Sequence, residues 1–232
     1  MMKIESQLAE KELPTNATIA KEHAEHTAEP LTANDTKEIN ERNPRLATEL
    51  NNTLSDFVKT FESQSPSESA VKEKVSNLGD VLSEVLSARI DKEQLDNVTV
   101  KALVVNDLVG ESLEHYNSSL GDTVKTETPK IMGDADYQSA QAAVSRAIDL
   151  YNEIKPSGNA NSTELGNSLN SLKDTIASKS PFDQADKTVD NKITPMLNGM
   201  FKLKLAEEEV HGGEGQGHGG NESNASSGNE TH

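Results

Sequence analysis

Apolar residues recur every three or four positions through the middle of the chain, which is the period of an amphipathic helix. Six such stripes predict six helices, and each stripe can bury its apolar face only by packing against other helices. The stripes run over residues 46–61, 71–86, 92–118, 137–154, 165–176 and 182–201.

Proline and glycine mark where the predicted helices end. Residues 63–69 contain Pro66 and separate the first two stripes, and residues 155–161 stop the fourth. Pro181 can occupy the first turn of the last helix. Pro195 lies inside that helix and predicts a kink, because proline lacks the amide hydrogen and clashes with the preceding turn.

The order of three helices, a linker and three helices predicts an all-α bundle built from a duplicated three-helix unit. The units are residues 44–120 and 134–209, joined by the linker 121–133. The alternative is a coincidence of spacing, which helical chains often show. Residues 1–43 are polar with poor periodicity, and residues 210–232 are rich in Gly, His and Asn, so both ends are predicted to be disordered.

The amino-acid composition limits the classes of function that the chain can have. The apolar fraction is 33%, the net charge is −17 and there are no cysteines. An acidic chain is unsuited to nucleic-acid backbones or anionic membranes, and it suits cations, cationic partners or plain solubility. Thiolate chemistry is excluded, and no apolar run approaches the roughly 20 residues of a membrane-spanning helix.

The N-glycosylation acceptor pattern Asn-x-Ser/Thr occurs nine times, where the composition would give about three by chance. This enrichment predicts a glycosylated protein outside the cytoplasm, and the alternative is simply a chain rich in Asn, Ser and Thr. The acceptor residues are Asn16, Asn34, Asn51, Asn97, Asn117, Asn161, Asn221, Asn224 and Asn229.

The sequence indicates a protein that is not an enzyme. It has no nucleophile elbow and no phosphate- or dinucleotide-binding loop. Five of its six histidines lie in the predicted disordered ends, which cannot hold catalytic geometry.

One helical face has metal-ligand character. Asp107, Glu111 and His115 are spaced by four residues and share a face, and carboxylates with an imidazole suit divalent or ferric ions. Asp149 and Glu153, four apart on the fourth helix, are the candidates for completing the site. The alternative is an exposed polar face.

The ends offer looser ligands. His211 and His218, with Glu214 and His232, could chelate a metal without fixed geometry. His23 and His26, three residues apart, could do the same. The alternative for each is a solvated segment.

Three stretches, Leu108–Tyr116, Asp136–Ala140 and Ala147–Tyr151, resemble the extracytoplasmic helical regions that accompany prokaryotic high-affinity iron permeases. The resemblance covers about 100 residues, and the permease's own membrane helices are absent from this chain. It implies extracytoplasmic sensing or delivery of iron. The positions it singles out are Glu111, Glu114 and His115.

We therefore expect a non-enzymatic extracytoplasmic module that binds or delivers metal cations such as iron, with a permease or another cell-surface protein as partner. The alternatives are a structural or adhesive cell-surface glycoprotein and a cytosolic helical scaffold. The chain begins without an apolar leader, so export implies a mature form, tethered by a segment not present here.

Overall fold

A computed structural model describes residues 1–63 and 66–203, and this part of the chain is helical with no strand. It confirms the predicted all-α fold. The helices are α1 (Met2–Glu12), α2 (Ala17–His26), α3 (Ala33–Arg42), α4 (Pro44–Thr60), α5 (Glu68–Arg89), α6 (Lys92–Leu95), α7 (Val98–Leu120), α8 (Asp134–Ile154), α9 (Ala160–Ala177), α10 (Phe182–Thr188) and α11 (Thr194–Phe201).

The prediction that residues 1–43 are disordered is wrong, because α1, α2 and α3 occupy this segment. The inward faces of α1 and α2 carry small or polar residues instead of a leucine stripe, and α3 buries a single residue, Ile39. Ala9, Ala20 and Ala24 are fully buried, which lets α1 and α2 approach each other closely. Helix α3 begins with a capping box in which Thr32 and Asp35 satisfy each other's backbone amides.

The first helical unit, which we define as α1–α5, has two adjoining apolar clusters. In one, Phe57 and Phe61 of α4 pack edge to face beneath the alanines of α1 and α2. In the other, Leu50 and Leu54 of α4 meet Leu78 of α5. Helices α1 and α2 therefore belong to this unit by their packing.

The second helical unit, which we define as α7–α11, has one larger core. Fully buried Leu165, Leu169 and Leu172 of α9 form part of that core, opposite α8. Tyr151 of α8 is buried as well, and its hydroxyl donates to the Ser162 carbonyl at 2.6 Å. This bond ties α8 to the start of α9.

The helices group differently from the predicted units 44–120 and 134–209. The third predicted helix divides at Asp96 and Asn97, and the Asn97 side chain caps the new helix α7. Helix α7 then packs along α8 in an antiparallel hairpin, with residues 121–133 as the connection. The predicted linker therefore lies within the second unit.

Pro195 interrupts the last predicted helix, as expected. The chain passes from α10 through a π-helical turn, Val189–Ile193, into α11, where Pro195 occupies the first turn. A π turn before the proline accommodates its missing amide and bulky ring.

The predicted flexible tail, residues 210–232, lies outside the described residues. Among the helices of the described part, none is long and apolar enough to cross a membrane.

Candidate metal centre

Three histidines and three carboxylates meet where the two helical units touch. We define the histidine–carboxylate centre as these six residues, which come from four helices. Glu5 lies on α1, His23 and His26 on α2, Glu111 and His115 on α7, and Asp136 on α8.

Local structure fixes both sides of the centre. On α2, residues three apart share one face, so both histidines point toward the second unit, His23 toward Gln138 of α8 and His26 toward His115 of α7. On the other side, the Ser112 hydroxyl donates to the Ala140 carbonyl at 3.0 Å across α7 and α8. This antiparallel register brings His115 opposite Asp136.

Glu5 is the most buried carboxylate of the centre, with its side chain only 1% exposed. Its Oε2 atom lies 2.8 Å from His23 Nδ1, a hydrogen bond between α1 and α2. Its Oε1 atom is buried without a hydrogen-bond partner among the described residues. A buried carboxylate oxygen in this state costs about 1–3 kcal/mol or more, so it calls for a proton, a water molecule or a cation.

His26 carries the other buried side-chain atom without a partner in the described part of the chain, Nδ1. That nitrogen lies 4.0 Å from Glu5 Oε2. The His26 ring lies beside the His115 ring, with centroids 5.9 Å apart. An imidazole nitrogen in this position is free to bind a cation.

His115 presents its Nε2 atom to the same space. Nε2 lies 3.9 Å from Glu5 Oε1 and 3.9 Å from Glu111 Oε2, and Nδ1 lies 2.9 Å from Asp136 Oδ1. Burial lowers the pKa of His115, but the hydrogen bond to Asp136 and the charges of Glu5, Asp136 and Glu111 outweigh it and raise the pKa above its usual value.

His23 has both ring nitrogens occupied. Nδ1 contacts Glu5, and Nε2 lies 2.9 Å from Gln138 Oε1 on α8. The Ser139 hydroxyl lies 3.5 Å from the same Nδ1. His23 therefore orients the Glu5 carboxylate while it connects α2 to α8.

The distances show which atoms are close enough to bind one ion. First-row divalent ions bind nitrogen and oxygen at about 2.0–2.2 Å, so two ligands of one ion are at most about 4.4 Å apart. Three pairs at 3.9–4.0 Å fit that limit: His26 with Glu5, His115 with Glu5, and His115 with Glu111. Two groups of three residues have ligand atoms that all lie within 4.8 Å of one another, Glu5 with His23 and His26, and His26 with His115 and Asp136.

The shorter contacts have a different meaning. The pairs at 2.8 and 2.9 Å, His23 with Glu5 and His115 with Asp136, are at hydrogen-bond distance. A carboxylate that accepts from one nitrogen of a histidine leaves the other nitrogen free to bind metal, which is the usual arrangement around histidine ligands. In this arrangement Asp136 orients the His115 ring.

The structure places part of the predicted metal face in this centre. Glu111 and His115 belong to it, whereas Asp107 and Glu114 are exposed elsewhere on α7. Partial desolvation of the Asp107 carboxyl group raises its pKa, but no histidine approaches this group among the described contacts.

The expectation that Asp149 and Glu153 complete the His115 site requires correction. Because α7 and α8 are antiparallel, these residues lie at the far end of α8, and Glu153 contacts Lys101 at 3.8 Å. From Asp136 to Asp149 the helix rises about 20 Å. Glu153 pairs with Lys101 near the start of α7 and with Arg146 on α8.

The tail histidines His211 and His218 lie outside the described residues. Sequence reasoning did not include Glu5 or Asp136 among the ligands, and it placed His23 and His26 in a disordered end. The three-residue spacing of those two histidines was a usable signal, because it places both rings on one helical face. No local pattern distinguishes Glu5 from other surface glutamates.

The six acceptor asparagines within the described residues are all exposed. Two of them also cap helices: Asn16 accepts from the Ile19 amide and Asn97 from the Thr99 amide. Asn221, Asn224 and Asn229 lie outside the described part. Exposure is compatible with glycosylation.

In comparisons with protein-family models, with curated proteins and with solved structures, nothing matches this chain. The resemblance to regions beside iron permeases therefore stays a prediction. The case for function depends on the geometry of the centre.

Proposed function

We propose that this chain is a non-enzymatic helical protein that binds a metal cation outside the cytoplasm. The observation that supports it is the pair of buried atoms Glu5 Oε1 and His26 Nδ1, which have no partner among the described residues and lie beside His115. Burying such groups is costly unless something binds them. A cation bound by residues of the centre offsets that cost.

The chemistry of the ligands favours divalent first-row transition ions. Two imidazoles with two carboxylates suit Zn²⁺, Fe²⁺ and similar ions, whereas Mg²⁺ and Ca²⁺ prefer oxygen ligands alone. Iron fits both this class and the resemblance described above. Delivery to a permease or another cell-surface protein then follows as the proposed role.

The test is a titration of the full chain with Co²⁺ and Zn²⁺, because Co²⁺ bound to a protein has visible absorption that reports its ligands. To remove loose chelation, the background variant carries His211→Gln, His218→Gln and His232→Gln. We expect this background to bind one ion tightly. Each of Glu5→Gln and His115→Gln should abolish that binding, while circular dichroism shows unchanged helicity.

Glu114→Gln is the matched control for Glu111→Gln. Both remove one carboxylate from α7, but Glu111 faces His115 and Glu114 is exposed. Only Glu111→Gln should weaken binding. Two results would refute the proposal. One is loss of metal binding when the tail histidines are replaced, and the other is full binding by both the Glu5→Gln and the His115→Gln variants.

A second candidate is a structural or adhesive cell-surface glycoprotein. The exposure of all six described acceptor asparagines favours it. The intact mass of native material, before and after enzymatic removal of N-glycans, tests it. A mass equal to the bare chain removes this candidate and weakens the extracytoplasmic assignment.

A further inference from the structure

We propose that the bound ion also acts as a clasp that holds the first helical unit against the second. This inference rests on the proposed metal-binding function and concerns how that same site is used. It follows from where the centre lies: Glu5 and His26 belong to the first unit, whereas Glu111 and His115 belong to the second. An ion bound to His26 together with His115 bridges the units.

The polar contacts between the units are concentrated at this centre. Among the described residues, the side-chain hydrogen bonds between the units are the two that His23 forms with Gln138 and Ser139. The one charged pair between the units joins Glu5 and His115 at 3.9 Å. A ligand at the centre therefore acts on the main polar attachment between the units.

The apolar contacts between the units are few. Met1 and Ile4, both only partly buried, pack against the core of the second unit. Helices α1 and α2 lie against α8, whereas α4 and α5 make at most marginal contact with α7–α11. Each unit otherwise packs around its own core.

The covalent connection between the units imposes little restraint. It consists of residues 90–97, which include the four-residue helix α6 with no buried residue. Helix α6 contacts the neighbouring α7 but packs into neither core. The units are therefore joined by a short exposed segment and by the contact of α1 and α2 with α8.

Without an ion, the contact buries a Glu5 carboxylate oxygen and a His26 imidazole nitrogen that have no partner among the described residues. Separation of the units would hydrate both atoms, which favours an open arrangement. Binding of an ion reverses this balance because its ligands come from both units. A ligand that binds one arrangement more tightly shifts the population toward it.

The test measures the distance between the units in the full chain, with pulsed electron spin resonance on two nitroxide labels. The chain has no native cysteine, so labelled cysteines can be placed at will. One label replaces exposed Lys59 on α4 and the other replaces exposed Lys173 on α9. Zn²⁺ is the probe because it is diamagnetic, and the labelled thiols cannot bind it.

We expect a broad distance distribution without metal and a single narrow one with Zn²⁺. A label pair within the first unit, Lys59→Cys with Asp80→Cys, is the matched control and should give the same distribution in both states. The Glu5→Gln variant of the reporting pair should stay broad in Zn²⁺. These three results together support the clasp.

Two failures can be distinguished. If a competing chelator shows that Zn²⁺ binds but the distance between units is equally narrow with and without it, the clasp is wrong and the metal site stands. If Zn²⁺ does not bind at all, the proposed function fails and the clasp fails with it.

Discussion

Asp136 offers the sharpest test of how the centre works, because it forms the closest hydrogen bond to His115. Its Oδ1 atom lies 2.9 Å from His115 Nδ1. This hydrogen bond fixes the orientation of the ring, and a neutral ring that donates Nδ1–H to Asp136 turns an unprotonated Nε2 toward Glu5. Asp136→Asn keeps an oxygen acceptor in nearly the same place but removes its charge.

The expected loss of metal affinity can be estimated from the contact that each substitution removes. Changing a residue that orients a metal ligand typically lowers metal affinity by about 10–100-fold. Asn retains the acceptor, so we expect about 10-fold for Asp136→Asn, which corresponds to about 1.4 kcal/mol. Asp136→Ala removes both the acceptor and the charge, so its loss should approach about 100-fold.

The assay is competition between the protein and a chromophoric chelator for Zn²⁺ at fixed pH. The matched control is Asp134→Asn, because Asp134 also lies in the first turn of α8 but is exposed and contacts no histidine among the described residues. It carries the same charge change near the same helix end. Equal affinity of wild type and Asp136→Asn, or equal losses at Asp134 and Asp136, would refute the reasoning.

Three further predictions concern stability and proton binding. Leu169→Ala should lower the free energy of unfolding by about 2–5 kcal/mol in urea titrations, because the side chain is fully buried between helices. Asn97→Ala should cost about 0.5–2 kcal/mol through loss of the α7 cap, whereas Asn117→Ala, exposed and without a described hydrogen bond, should be nearly neutral in unglycosylated protein. The raised pKa of His115 means that its stabilising contribution to the metal-free chain is complete below the unfolded pKa and disappears as pH rises through the folded value. The stability difference between wild type and His115→Gln should therefore shrink as the pH rises above about 6.5, the unfolded pKa of histidine, and a constant difference would contradict the assignment.

The helices with leucine-type stripes were predictable because burial of large apolar side chains leaves a direct periodic trace. Helices α4, α5, α8 and α9 all follow such stripes, and Pro195 correctly marked an interruption. The division between α6 and α7 was less visible, because the apolar pattern continues through Asp96 and Asn97. Cap chemistry decides that boundary, since the Asn97 side chain binds the first amides of α7.

The N-terminal helices show where the hydrophobic pattern fails as a guide. Ala9, Ala20 and Ala24 are fully buried, but alanine is as common on helix surfaces as inside. The other buried positions of α1 and α2 include Glu5 and His23, and a search for hydrophobic periodicity predicts such polar residues to be exposed. The segment therefore looked disordered although its packing is close.

Only the part of the candidate site that lies on a single helix could be predicted from the sequence. Glu111 and His115 share a face through helical geometry, which a sequence shows directly. Their partners arrive from helices that are distant in sequence: His115 meets Glu5 across 110 positions and Asp136 across a hairpin. Only the register of α7 on α8 excludes Asp149 in favour of Asp136, and that register depends on contacts such as Ser112 with Ala140.

Glu5 is difficult to explain by stability alone. It lies beside Ile4, which already buries part of its surface against the second unit, so an apolar residue at position 5 would extend an existing apolar contact. A fully buried glutamate with one unpartnered oxygen instead lowers the stability of the fold. Replacing buried charged clusters by apolar residues often stabilises proteins. Residues that lower stability in this way concentrate at functional sites. Among the described residues, Glu5 lies where histidines and carboxylates of both units meet, which is where a cation can offset its cost and join the units.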